Sequence, residues 1–131
     1  MSKRVVKPDE LASVIANITS EAIRRTEAEV AERIIRRTPV QTGTARGNWN
    51  SSLNSPDRSI NNTADRNGSR QTRKAKVVLQ KAELNDTFYL TNALPYVSEL
   101  ERGSSTQAPQ GMVALSVAEH EAIFKKVVRK L

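Results

Sequence analysis

One long amphipathic segment near the N-terminus constrains the fold of this chain more than any other feature. Pro8 stands where a first-turn proline is favoured, and Asp9 and Glu10 complement the positive end of a helix dipole. Thr38 precedes a proline and is biased out of the helical region, so the predicted helix stops near Arg37. About 29 residues at 1.5 Å each span roughly 44 Å. Because this is long for a chain of 131 residues, we expect part of the helix to pack on something outside the chain.

The predicted helix has one apolar side. Its apolar side chains recur at steps of three and four residues: Leu11, Val14, Ile15, Ile18, Ala22, Ile23, Val30 and Ile34. Charged residues fill the other faces and include three i,i+4 pairs in the favourable order, each worth about 0.2–0.5 kcal/mol. These pairs are Glu21–Arg25, Glu29–Arg33 and Glu32–Arg36. The pattern predicts a helix that buries a single stripe.

Two strands are predicted further along the chain. After a turn over residues 38–43, an extended segment begins at Thr44, with Trp49, Ser51 and Leu53 alternating onto one face. Residues 54–69 are polar and rich in asparagine, which predicts a long exposed loop that is mobile in the isolated subunit. Residues 87–91 form the second β-prone run. Trp49 is expected in the core.

Three further helical segments are predicted. Residues 71–84 have helical spacing through Ala75, Val78, Leu79 and Ala82, with basic flanks. Residues 95–101 form a brief helical turn capped by Gly103. A polar loop follows over residues 103–110. The last helix has a regular apolar stripe: Val113, Val117, His120, Phe124, Val127 and Leu131. A capping box, Ser116-x-x-Glu119, allows a start at Val117, but a start near Gln110 keeps the stripe on one helix and is favoured.

These elements predict an α+β fold. The long N-terminal helix and the C-terminal helix pack on a small antiparallel sheet, with a further short basic helix. The length predicts a single domain over residues 1–131, with an N-terminal arm at 1–7. No cysteine is present, which excludes disulfides and thiolate zinc sites. Neither a signal peptide nor a membrane span is recognisable, so we expect a soluble, cytosolic protein.

Positive charge is concentrated in the middle of the chain. The formal net charge is +7, and residues 41–84 carry eight Lys/Arg against three Asp/Glu, a net of +5. Such a segment is typical of contact with nucleic acid or with another acidic surface, and equally of a solvated helix face. Its one aromatic residue, Trp49, is expected in the core, which leaves none for base stacking, so any nucleic-acid contact would be directed at the phosphate backbone and non-specific.

The sequence offers little catalytic chemistry. His120 is the only histidine, and it falls on the apolar stripe of the last helix. A partly buried, hydrogen-bonded structural role is favoured over that of a general base. No motif for a nucleotide, a metal or a nucleophilic serine occurs. We therefore expect no enzymatic activity, no cofactor, no metal and no small-molecule substrate.

An ordered set of short motifs resembles a known family. The set is "TPVQTG" at 38–43, a tryptophan-bearing strand, and "NALPYVSELERGSSTQAPQGM" at 92–112 before a C-terminal helix. This series resembles the tail-completion or neck proteins of long-tailed bacteriophages, the group of the lambda-type minor tail protein Z. The resemblance runs from about Ala12 to Lys130. "TPVQTG" alone is weakly diagnostic, whereas the ordered set is much more specific.

The resemblance implies a structural virion protein without catalysis. It implies an α+β subunit that forms a ring, commonly six-fold, at the head-proximal end of the tail and around the DNA channel. The implied partners are other copies of the chain, tail terminator and tail tube proteins, head connector proteins and, non-specifically, packaged DNA. The implied location is the head–tail junction of the virion, with assembly in the host cytoplasm. The alternative function is a small basic protein that binds the phosphate backbone of nucleic acids.

Two sets of residues are candidates for partner contact. The interface hypothesis names Tyr96, Glu99, Glu101, Gly103, Gln107, Pro109 and Met112. The second set is a basic segment that would face an acidic partner or, less favoured, DNA: Arg66, Arg70, Arg73, Lys74 and Lys76. The uncovered length of the first helix suggests a weak monomer that forms its ring only against its partners.

Overall fold

The fold is α+β, as predicted, and is described by a computed structural model for residues 7–131. Six helices are described: α1 Pro8–Arg37, α2 Thr44–Gly47, α3 Ser69–Gln80, α4 Val97–Glu101, α5 Val113–Ala118 and α6 His120–Arg129. Two strands, β1 Asn50–Leu53 and β2 Phe88–Thr91, pair antiparallel with Asn50 opposite Thr91. The predicted arm at 1–7 lies outside the described residues except for Lys7.

Helix α1 has the predicted bounds. It comprises 30 residues, about 45 Å at the standard rise. The Glu10 carboxylate accepts the backbone N–H of Lys7 at its start. At its end Thr38 is extended, and its hydroxyl donates to the Ile34 carbonyl at 2.8 Å. The three predicted pairs are present, with N–O distances of 2.7 Å for Arg25–Glu21, 2.9 Å for Arg33–Glu29 and 3.0 Å for Arg36–Glu32.

Helix α1 enters the core only from Ala22 onward. Ile34 and Ile35 pack with Trp49, Val97 and Met112 in the main apolar cluster. A second cluster joins α1 to α6 through Ala22, Ile123 and Val127. The predicted stripe was therefore wrong as a description of buried surface, because Leu11, Val14, Ile15 and Ile18 are all exposed. No described element covers that part of the helix.

The predicted extended segment at Thr44 was wrong. Residues Thr44–Gly47 instead form α2, and the strand begins only at Asn50. Gly43 makes this turn possible, because it adopts φ +91°, a conformation that residues with a Cβ rarely take. Its carbonyl then accepts the N–H of Gly47 at 3.0 Å. Trp49 lies just before the strand and is buried in the core, as predicted.

Helix α3 is shorter than the predicted 71–84. It begins at Ser69, where the buried Asp65 carboxylate accepts the backbone N–H of Gln71 at 2.9 Å. It ends at Gln80, and residues 81–82 continue only as a turn. The predicted apolar side is confirmed, since Ala75, Leu79 and Ala82 are buried. Helix α3 packs on both α1 and β1.

The C-terminal region is two helices, so a single helix from Gln110 was a wrong prediction. The capping box at Val117 was wrong as well. The Ser116 hydroxyl donates to the Met112 carbonyl at 2.6 Å, and Glu119 lies at the break with its carboxylate bound to α1. The predicted stripe is rotated, because Ile123 and Val127 face α1 while Val117, Phe124 and Leu131 are exposed. Among the described helices, none is long and apolar enough to span a membrane.

Candidate interaction surfaces

The motif residues that are distant in sequence converge around the end of α1. Trp49 donates its indole N–H to the Thr38 hydroxyl at 2.8 Å, and the Asn92 side chain donates to the Ala45 carbonyl at 2.8 Å. Gln107 brackets the backbone of Val40, accepting its N–H at 2.8 Å and donating to its carbonyl at 2.9 Å. The segments 38–45, 92–97 and 105–112 therefore form one connected unit.

Glu101 organises the start of α5. Its Oε1 accepts the backbone N–H groups of Met112 and Val113 at 2.9 and 2.8 Å, and its Oε2 accepts that of Ala114 at 3.0 Å. Partial burial raises the pKa of Glu101, but these three hydrogen bonds outweigh it, and the net pKa is lowered. The carboxylate thus satisfies helix N–H groups that have no intrahelical partner.

The remaining residues of the interface hypothesis fall into three groups. Met112 is fully buried, and Gln107 is held by Val40, so these side chains serve the subunit itself. Gly103 is half-buried and backs onto the carbonyl of Pro109, with the proline itself exposed. The side chains open to a partner are Pro109, Tyr96, which is 44% exposed, and Glu99, whose one ion-pair partner within residues 7–131 is its neighbour Arg102 at 2.8 Å. Their role in an interface stays a prediction.

Tyr96 borders an open polar groove of about 550 Å³. One wall is the 39–45 segment, and the other is formed by Leu100 and residues 104–107. The groove lies between the two halves of the ordered motif set. Its polar lining of threonines, serines and Gln107 suits hydrogen bonding with a polypeptide more than binding of an apolar ligand.

The basic segment is only partly free for partner contact. Arg70 donates to the carbonyls of Ala64 and Thr63 at 2.8 and 3.1 Å, and Lys76 lies 3.7 Å from the Glu32 carboxylate. Arg66 packs beside Gly43, and its guanidinium donates to the Gln41 carbonyl at 3.4 Å. Within residues 7–131, only Arg73 and Lys74 of the five predicted cations have no hydrogen-bond or ion-pair partner. Both are exposed and adjacent on α3.

Arg73 and Lys74 stand at the rim of a groove between α3 and β1, of about 430 Å³. We call it the basic groove; it is lined by Trp49, Asn50, Ser51, Asp57, Arg70, Gln71, Arg73, Lys74, Val77 and Val78. Val77 contributes an apolar wall and is 48% exposed. Two polar atoms of lining residues, Ser51 Oγ and Gln71 Oε1, are buried without a partner among the described residues. Buried polar groups of this kind are uncommon.

The predicted loop at 54–69 is exposed over most of its length but is tied to the fold. Asn48 accepts the N–H of Asn61 at 2.9 Å and donates to its carbonyl at 3.0 Å. Asn50 donates to the carbonyls of Asp57 and Ser59 at 3.2 and 2.7 Å. These two asparagines precede the loop, and one asparagine inside it, Asn61, also anchors it by donating its side chain to the Gly47 carbonyl at 3.0 Å. A clue was available in the sequence, since Asn side chains commonly bond to nearby backbone in turns.

Sequence reasoning missed an ion cluster between α1 and the break after α5. The carboxylate of Glu119 is bound by Arg37, with one N–O distance of 3.0 Å, and by Arg33 at 3.2 Å. Hydrogen bonds from Arg37 lower the pKa of Glu119 to about 2. The pair is 82 positions apart, so no local spacing rule indicates it.

His120 does not take the expected partly buried position. It is exposed at the first turn of α6, so the prediction of burial was wrong. Burial raises the pKa of Glu27 on α1, and the nearby charge of His120 opposes that shift. Within residues 7–131, no cluster of three His, Cys, Asp or Glu side chains is arranged to hold a metal ion.

Comparisons of this chain with protein families, with curated proteins and with solved structures found no match.

Proposed function

We propose that this chain is a structural subunit that completes the head-proximal end of a bacteriophage tail. In this role it forms a ring around the DNA channel and joins the tail to the head connector. The observation that carries the proposal is the uncovered N-terminal half of α1. Leu11, Val14, Ile15 and Ile18 are between 43% and 56% exposed along one helix. A row of exposed apolar side chains is typical of a surface that other proteins cover.

The motif set supplies a second line of support. The residues that carry the resemblance to neck proteins are joined by hydrogen bonds, as Gln107 to Val40 and Asn92 to Ala45 show. They frame the Tyr96 groove, which offers a polar surface to a neighbouring subunit. Rigid surfaces of this kind lose little entropy on assembly.

The alternative, a backbone-directed nucleic-acid binder, is less well supported. Three of the five predicted cations are used inside the subunit, which leaves Arg73 and Lys74 for phosphate contact. Two contacts give a log–log salt slope of about −2, whereas proteins that depend on phosphate contacts make roughly 6–10.

Deletion of the gene from the phage or prophage that encodes it tests the proposal. Negative-stain electron microscopy of lysates should show filled heads and separate tails, and wild-type protein supplied in trans should restore joined virions. Mass spectrometry of purified virions should detect the chain. Intact virions from the deletion, or virions that lack the chain, would refute the proposal. Salt-sensitive duplex DNA binding by a monomer, together with intact virions, would support the alternative.

A further inference from the structure

Two surfaces of this subunit are left uncovered, and the charged side chains on them have opposite signs. The basic groove combines Arg73 and Lys74, which have no ion-pair partner among residues 7–131, with the exposed side chain of Val77. The first turns of α1 combine the exposed acids Asp9 and Glu10 with an exposed apolar stripe. Neither surface is covered by a described part of the same chain.

The basic groove favours an amphipathic, acidic occupant. Its only acid is Asp57, against the cations Arg70, Arg73 and Lys74. Arg70 is fixed by the Thr63 and Ala64 carbonyls, which gives the rim a rigid part. The apolar wall at Val77 needs an apolar partner to be covered from water, which a phosphate backbone does not provide.

The start of α1 has these properties, since among residues 7–20 the acids Asp9 and Glu10 outnumber the one base, Lys7. Asp9 and Glu10 are exposed in the first turn, and Leu11 and Val14 follow at 48% and 43% exposure. No ionisable residue occurs between Glu10 and Glu21, so this stretch can be covered without burying a charge. The helix also supplies a preformed surface, which reduces the entropy lost on docking.

We infer that the first turns of α1 from a second copy of the chain occupy the basic groove. Asp9 and Glu10 of one copy lie at Arg73 and Lys74 of the next, and Leu11 and Val14 cover Val77. Such a contact joins two different surfaces, so each copy presents one of each to its neighbours and the contact can close into a ring. This inference rests on the proposed function and names the contact that would build its ring.

The contact involves few residues, so it is expected to be weak in solution. Stable interfaces bury about 1,200–2,000 Å² in total, more than a few exposed side chains on two helical turns supply. Covalent trapping is therefore the appropriate test. The chain has no cysteine, so introduced thiols report only their own contacts.

The test mixes a Leu11→Cys variant with a Val77→Cys variant under mild oxidation. Non-reducing gels and peptide mapping measure the mixed disulfide. Its yield should exceed by at least about fivefold that of Leu11→Cys mixed with Val117→Cys, because disulfides form only at short Cβ separations. Val117 is a matched control because it is a valine of similar exposure, 54% against 48%, and does not line the groove.

Charge reversal tests the polar half of the contact. Adding Arg73→Glu and Lys74→Glu to the Val77→Cys copy should reduce the disulfide yield to the level of the control. Adding Asp9→Lys and Glu10→Lys to the Leu11→Cys copy should then restore it. The pair Lys126→Glu and Lys130→Glu, two exposed cations outside the groove, changes the net charge equally and should leave the yield unchanged. Far-UV circular dichroism checks that each variant folds.

Three outcomes overturn the inference. They are a yield no higher than that of the control, a disulfide that survives charge reversal, and a predominant Leu11→Cys homodimer, which would indicate symmetric pairing of α1. Separate heads and tails in the gene deletion without the mixed disulfide would remove this contact but keep the structural role. Intact virions from the deletion, with the mixed disulfide present, would remove the phage role but keep the contact.

Discussion

Replacement of Glu101 by Gln isolates one cluster of hydrogen bonds. The substitution keeps the size of the side chain but exchanges one acceptor oxygen for an NH₂ group. That group would face at least one of the three backbone N–H donors now bound by the carboxylate, those of Met112, Val113 and Ala114. One donor then loses its partner, and the other bonds lose their ionic character.

The expected cost follows from these contacts. A hydrogen bond to a charged group contributes about 1.5–3 kcal/mol, and loss of a helix N-terminal cap costs about 0.5–2 kcal/mol. Since Glu101 is only half-buried, we expect the free energy of unfolding to fall by about 1–2 kcal/mol. For a chain of this size, that corresponds to a decrease in Tm of roughly 3–8 °C.

Urea unfolding followed by tryptophan fluorescence provides the assay. Trp49 is the only tryptophan and is buried in the same core as Met112, so its emission reports unfolding. Glu99→Gln is the control, because among residues 7–131 that exposed carboxylate pairs with Arg102 alone and should change stability by less than about 0.5 kcal/mol. A loss at Glu101 no larger than at Glu99 would refute the capping role.

The pH dependence adds a second measurement on the same variants. The folded pKa of Glu101 is lowered, so its stabilisation is fully present above the unfolded pKa and is lost as pH falls through the folded value. Wild type and Glu101→Gln should therefore differ at neutral pH and converge in acid below the ordinary range of glutamate. A difference that stays constant into strong acid would contradict the assignment of the effect to the carboxylate.

Three further predictions concern other residues. Met112→Ala should lower the free energy of unfolding by about 2–5 kcal/mol, because Met112 is fully buried. Leu11→Ala, at an exposed site, should lower it by under about 0.5 kcal/mol. Equal losses in urea unfolding would contradict the placement of Met112 in the core. Gly111→Ala should lower the free energy of unfolding by at least about 1–2 kcal/mol, because φ is +80° and a Cβ would lie 2.4 Å from the Glu101 carbonyl oxygen. An unchanged midpoint of urea unfolding would show that the turn relaxes. Glu119→Gln should have a lower free energy of unfolding than wild type at pH 7, and this difference should disappear only as pH falls towards about 2. If the two proteins already have equal stability near pH 4.5, Arg37 does not bind the carboxylate.

Local patterns in the sequence predicted most of the secondary structure. The proline, the acidic first turn and the Thr38 stop indicated α1 with correct bounds, because each acts within a few residues of the helix end. The buried side of α3 was equally readable from Ala75, Leu79 and Ala82. The strand after Gly43 was predicted to begin too early. A glycine permits several turn conformations and does not select one of them.

The candidate surfaces depended far more on tertiary contacts. Glu101 was expected to face a partner, and its three backbone bonds to the start of α5 could not be inferred locally, because they join positions 11–13 residues apart. The free and bound members of the basic segment look identical in sequence. Arg70 is bound by the 63–64 backbone, while Arg73 is open.

The long N-terminal helix shows most clearly what the sequence determines and what depends on tertiary packing. The sequence by itself determined that α1 forms, where it begins and ends, and that it has one apolar stripe, because these depend on backbone preferences and on the 3.6-residue period. Only the tertiary structure decided that α6 covers this stripe at Ala22 and that the stripe from Leu11 to Ile18 is left exposed. The physical reason is that periodicity defines a face, whereas burial depends on how far the packing elements reach along it.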